Sequence, residues 1–192
     1  MVCPDNETVL RDALKLCEKA IEAAPRNSQC WNEAGLIYMK CANYKKAIEC
    51  YEQALSIDKA AYGDKHPTVA IRLNNLGAAW KHCGQFSKAI EFYNQALSID
   101  KSVYRNNHPK VAIRLYNLGA VYCTTEQFDK AAILFKQSLD IFKNTLGIAH
   151  PSTKTTEEHL TQALEKLKNQ TTDTNSQSEV NTGGWEKAPP PL

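Results

Sequence analysis

The chain has 192 residues, with 23 Lys+Arg against 21 Asp+Glu and a formal net charge of +2. A near-neutral balance without a long basic stripe excludes the usual nucleic-acid footprint, and no apolar run approaches the roughly 20 residues that span a bilayer. The first residues, Met1-Val2-Cys3-Pro4-Asp5-Asn6-Glu7, lack a basic region followed by an apolar one, so a cytoplasmic location is expected.

In chain order, the first expected element is a single helix within residues 5–25. Leu10, Leu14, Cys17, Ile21 and Ala24 form one apolar stripe that ends at Pro25. Three repeats follow, at 26–67, 68–109 and 110–151. They are punctuated by His66-Pro67, His108-Pro109 and His150-Pro151, which lie 42 residues apart. The second and third copies share 19 of 42 positions. A period of this size marks a stacked-repeat architecture.

Each repeat reads as two helices. In the middle copy Val69, Leu73, Leu76, Gly77 and Trp80 fall at helical spacing, and Gly84 breaks the run. Phe86, Ala89, Ile90, Tyr93, Ala96 and Leu97 then begin a second helix. Pro109 suits the first turn of the helix it opens, where its missing N–H costs nothing. Gly77 and Gly119 admit a close helix approach, and Ala89 and Ala96 fill the seam. After Pro151 a last stripe, Leu160, Ala163, Leu164 and Leu167, predicts a capping helix over 152–168 with a polar outer face of Thr155, Thr156, Glu157, Glu158, Thr161 and Gln162. Residues 169–192, rich in Thr, Asn, Gln, Ser and Pro, are expected to be a disordered tail. The expected total is about eight helices in an all-α solenoid.

The repeats resemble the tetratricopeptide repeat (TPR), whose pattern is Trp-x2-Leu-Gly-x2-Tyr followed by Ala, an aromatic and Ala. The first copy supplies Trp31, Gly35, Tyr38, Ala47, Tyr51 and Ala54. The second supplies Leu76, Gly77, Trp80, Ala89, Tyr93 and Ala96, and the third Leu118, Gly119, Tyr122, Ala131 and Phe135, with Ser138 in place of the last Ala. The 42-residue period and the Leu-x-Asn-Leu-Gly runs at 73–77 and 115–119 are similar to kinesin light chains. The resemblance implies a right-handed α-solenoid whose first helices line a concave face, and a protein or peptide partner bound there.

No chemistry competes with that reading. No phosphate loop, metalloprotease motif or nucleophile motif is present, so no enzyme is expected. Seven cysteines, an odd number with no Cys-x-x-Cys, read as reduced thiols, and no metal or other cofactor is expected. The His-Pro histidines lie a repeat apart, too far to share one ion, and read as turn formers. Asn6-Glu7-Thr8 and Asn169-Gln170-Thr171 match a glycosylation pattern but have no secretory signal to expose them.

Helical phase turns Ile71, Asn74, Asn75, Ala78, Lys81 and His82 away from the second helix, with Ile113, Tyr116, Asn117, Ala120, Cys123 and Thr124 in the third copy. Asn75 and Asn117 recur at one position. An amide offers both a donor and an acceptor to an extended backbone, while the alternative is that these amides bond a neighbouring helix. Lys40, Lys81, Arg72 and Arg114 tilt the region toward positive charge and acidic peptides. The expected peptide-binding residues are Asn74, Asn75, Lys81, Arg114, Tyr116 and Asn117. The pairs Asn32/Leu36, Asn74/Ala78 and Tyr116/Ala120 depart from the Lys-and-Asn carboxylate clamp of chaperone-binding members. The reading is therefore a monomeric adaptor or scaffold that engages neither nucleic acid nor membrane. The alternative is a chaperone or assembly factor shielding an apolar client segment through Ile71, Ile113 and Tyr116. Trp185-Glu186 in the tail is a candidate either for self-inhibition of the groove or for a separate docking motif.

Overall fold

The computed structural model describes the backbone of residues 6–182 and the side chains of residues 8–171. Among the described residues there are eight helices and no strand: α1 (Asn6–Ala23), α2 (Ser28–Lys40), α3 (Tyr44–Tyr62), α4 (Pro67–His82), α5 (Phe86–Tyr104), α6 (Pro109–Thr124), α7 (Phe128–Leu146) and α8 (Pro151–Thr182). Each packs chiefly on its neighbours in sequence, giving hairpins α2–α3, α4–α5 and α6–α7 between the single helices α1 and α8.

The helix starts are written in the sequence. Asn27 Oδ1 accepts from Gln29 N–H at 3.0 Å, and Asn43 Oδ1 from Lys46 N–H at 3.3 Å. At the repeat boundaries histidine takes over this role. His66, His108 and His150 each accept through Nδ1 from the backbone N–H two residues on, at 3.2, 3.1 and 3.1 Å. The proline between them begins the helix with its fixed φ and needs no hydrogen bond. Tyr62 and Tyr104 stack on the capping rings of His66 and His108, with centroids 4.7 and 4.2 Å apart.

Inside each hairpin a glycine of the first helix lies against an aromatic ring of the second. A Cβ on Gly35 would sit 2.5 Å from Tyr51, one on Gly77 2.8 Å from Tyr93, and one on Gly119 2.8 Å from Phe135. Between hairpins, Tyr93 and Leu97 of α5 pack on Val111, Leu115 and Leu118 of α6. Burying such side chains contributes about 1.5–3 kcal/mol each.

The end of the chain departs from the sequence expectation in the make-up of its buried stripe. Helix α8 spans Pro151–Thr182, and residues 183–192 lie outside the described backbone at this end. Its early residues back-bond within the helix or cap it; Thr156 Oγ1, for example, donates to Ser152 O at 2.7 Å. The buried stripe of α8 includes Thr153 and Thr156 together with Ala163, while Leu164 is exposed. The hydroxyls are tolerated in the core because backbone carbonyls accept their hydrogens, Thr153 Oγ1 donating to Gly147 O at 2.8 Å. The expected Trp185-Glu186 motif lies outside the described residues.

Candidate functional site

The first helices α2, α4, α6 and α8 meet along one face, and side-chain amides bridge them in a regular diagonal. Asn75 Nδ2 donates to Asn32 Oδ1 at 2.8 Å, and Asn117 Nδ2 donates to Asn74 Oδ1 at 2.7 Å. At the next step Tyr116 Oη and His159 Nδ1 share a hydrogen bond of 2.6 Å, their rings 5.4 Å apart. All three pairs join residues 43 apart, one repeat plus one residue. The recurring asparagines therefore do bond a neighbouring helix. Asn75 and Asn117 are nonetheless only half-buried, and neither Oδ1 has a protein partner among the described residues. Each keeps an acceptor toward the face, and Asn74 Nδ2 keeps its donors.

The arginines belong elsewhere. Arg114 is 5% exposed, and its Nε donates to Asp100 Oδ2 at 2.9 Å; Arg72 makes the same contact with Asp58 at 2.8 Å. Arg114 is thus withdrawn from the predicted binding set. Its guanidinium points into the joint between α5 and α6 and clamps one hairpin to the next. Burial pushes its pKa down from the usual value, and the Asp100 carboxylate acts in the opposite direction. Outward-facing phase is correct for Ile113, which is 41% exposed, but the neighbouring position faces inward.

A cavity of about 310 Å³ opens on this face between α4, α6, α7 and α8. Lys81, Tyr116 and Asn117, all anticipated, line it. Ala120 keeps its floor low, and Phe135 and Ala163 make it apolar. His159, Gln162 and Lys166 from α8 complete the wall. Two lysines and no carboxylate therefore surround a recess that offers an amide and an aromatic floor. Burial raises the pKa of the Tyr116 phenol and of the Cys123 thiol, with Lys166 pulling the latter back down. On the other side of Tyr116, Ile113, Phe142, Pro151 and Thr156 enclose a second recess of about 250 Å³.

The α8 residues are not marked in the sequence as part of this face, because that helix reads only as a cap. The signal is available: continuing the 42-residue count from Asn75 and Asn117 arrives at His159, and from His82 and Thr124 at Lys166. Among the described residues no group of His, Cys, Asp and Glu is placed to hold a metal ion, and no helix is long and apolar enough to cross a membrane.

Comparison with known proteins agrees with this architecture. The family model described as tetratricopeptide repeat matches residues 28–102, 73–144 and 111–171. No curated protein matches the chain. Among solved structures, BtubC (BKLC) from P. vanneervenii superposes with a TM-score of 0.77 at 22% identity, covering 97% of this chain and 79% of that one. A Podosopora anserina chain described as having kinesin light chain nearly identical TPR-like repeats superposes with a TM-score of 0.70 at 21% identity, covering 90% of this chain and 86% of that one. A singly substituted form of that Podosopora anserina chain gives 0.71 at 22% identity, covering 90% and 85%. At these identities the likeness is one of fold.

Proposed function

Because this chain belongs to the tetratricopeptide-repeat family, whose repeats mediate protein–protein interaction, we propose that it is a non-enzymatic adaptor that binds an extended acidic peptide on its first-helix, concave face. The observation that carries this reading is the cavity walled by Lys81 and Lys166 with no carboxylate in its lining. A peptide running across α4, α6 and α8 meets the free acceptors of Asn75 and Asn117 and the donors of Asn74. It places an acidic side chain between the two ammonium groups. Charge of this kind acts mainly on encounter and partner choice. The polar groups of the recess are arranged for holding, not for turnover. His159 Nδ1 is engaged by Tyr116, and burial favours the neutral thiol of Cys123.

The test is selection of random ten-residue peptides on the intact chain, followed by rebinding to a Lys81→Glu, Lys166→Glu double variant. Enrichment of Asp and Glu, with affinity about tenfold or more weaker for the double variant, is the expected result. Selected peptides without acidic residues, bound equally by both proteins, would overturn the reading.

The apolar recess beside Ile113 and Phe142 favours a second reading, a chaperone or assembly factor that shields a client's apolar segment. The two separate by ionic strength. Binding to the lysine-walled cavity weakens as salt rises, whereas apolar shielding does not.

A further inference from the structure

The second helices differ at one repeat position. Counted in steps of 42, Cys50 of α3, Phe92 of α5 and Leu134 of α7 are equivalent. In the middle repeat Phe92, with Leu55, packs against two core clusters that include Leu76 and Leu73, and so fills the crease between α3 and α5. In the third repeat the shorter Leu134 occupies that place. Two recesses of about 310 and 440 Å³ open side by side in the crease between α5 and α7, sharing Lys101, Leu115 and Gln137. The adjacent position changes in the same sense. Glu49 and Glu91 stand there in the first two repeats, but the third has Ile133, 59% exposed. The third repeat thus combines a side chain smaller than Phe92 in the crease, Leu134 packed against the core, with an exposed apolar one beside it.

We propose that the α5–α7 crease is a second docking surface, which takes an aromatic side chain of a partner protein with an acidic residue beside it. The chain itself supplies the template for the ring, since Phe92 fills the equivalent crease one repeat earlier. Charge supplies the neighbour. Lys101 is exposed at the junction of the two recesses and has no ionic partner among the described residues. Lys130, at the other end, bonds Gln127 Oε1 at 2.7 Å and makes no ion pair among the described residues. No carboxylate lines the recess that these two lysines share; Asp140 borders only the far one. Leu115 and Leu118 of α6 form the floor, on the opposite side of that helix from Asn117 and Ala120. This surface therefore stands or falls independently of the first-helix groove.

The experiment is a titration of the full-length, methyl-labelled chain with the blocked peptide acetyl-Ser-Glu-Phe-Glu-Ser-amide and with its Phe-to-Ala analogue, followed by NMR. The methyl signals of Leu97, Ile133 and Leu134 should move with the first peptide and not with the second. Leu134→Phe, which installs the middle repeat's own plug, should abolish the shifts. Lys101→Glu should weaken binding about tenfold, the scale of one lost contact. If Leu134→Phe fails to fold, Ile133→Glu installs the residue of the other repeats and should have the same effect. Equal shifts with both peptides, shifts confined to the Lys81 and Asn117 face, or shifts that survive Leu134→Phe or Ile133→Glu would overturn the proposal. So would movement of the Ile133 methyl on Trp185→Ala in the free chain, which would assign the crease to the chain's own C-terminal segment.

Discussion

Arg114 donates through Nε to Asp100 Oδ2 at 2.9 Å in a joint where both side chains are nearly sealed from water. Arg72 and Asp58 repeat the arrangement 42 residues earlier. At the last joint the equivalent positions hold Thr156 and Phe142, an uncharged solution to the same packing problem. Asp100 Oδ1 has no partner among the described residues, so the pair is not ideally satisfied. Arg114→Met alone strands a buried carboxylate and should cost about 3–5 kcal/mol in urea denaturation. The double change Asp100→Phe, Arg114→Thr, copying the last joint, should recover most of that loss. Equal instability of the single and double variants would contradict this account.

The glycine-to-ring contacts predict a second effect. Gly119→Ala puts a methyl group 2.8 Å from the Phe135 ring, and Gly77→Ala does the same to Tyr93. Each should destabilise by about 1–3 kcal/mol, the range for an overpacked core. Combining Gly119→Ala with Phe135→Leu should cost less than the sum of the two single changes, a difference that a double-mutant cycle reads directly.

A stabilising change is available at Arg105. It closes α5 with φ 63° and ψ −176°, in the place that Gly63 and Gly147 occupy with φ 82° and 86°. A residue with a Cβ is strained there by about 1–3 kcal/mol. Arg105→Gly should raise the thermal midpoint, and Arg105→Ala should not.

Alkaline pH should loosen the first hairpin. Burial pushes the Cys50 thiol up from 9.0 to about 11 and the Tyr51 phenol up from 10.0 to about 12. The unfolded chain therefore loses these protons first. The stability they contribute is whole below about pH 9 and falls as pH rises from there through about 12. Urea midpoints measured at about pH 8, 9.5 and 11 should decline. Cys50→Ala should flatten the first part of that decline.

The period of 42 makes the hairpins legible, because Leu76, Gly77, Tyr93 and their copies answer to helix geometry and to one another. The candidate site is half legible. Asn75 and Asn117 stand out by recurrence, but recurrence does not reveal that each donates one amide hydrogen to Asn32 or Asn74. Arg114 is misplaced when a charged residue is read as solvated. The opposite charge 14 residues before it, repeated one period earlier as Asp58 and Arg72, is what identifies a buried pair. Lys166 and His159 escape sequence reasoning because α8 lacks the glycine and aromatic marks of a full repeat and so reads as an end, although its inner face still lines the groove.

Binding of the peptide on the first-helix face is read by observing the side-chain amides of Asn75, Asn117 and Gln162 by NMR while titrating the intact chain with an acidic peptide chosen by selection. Binding there requires that these three signals shift together with the Tyr116 ring, and that the shifts diminish as salt is raised. Shifts elsewhere on the molecule with these amides unmoved would contradict it.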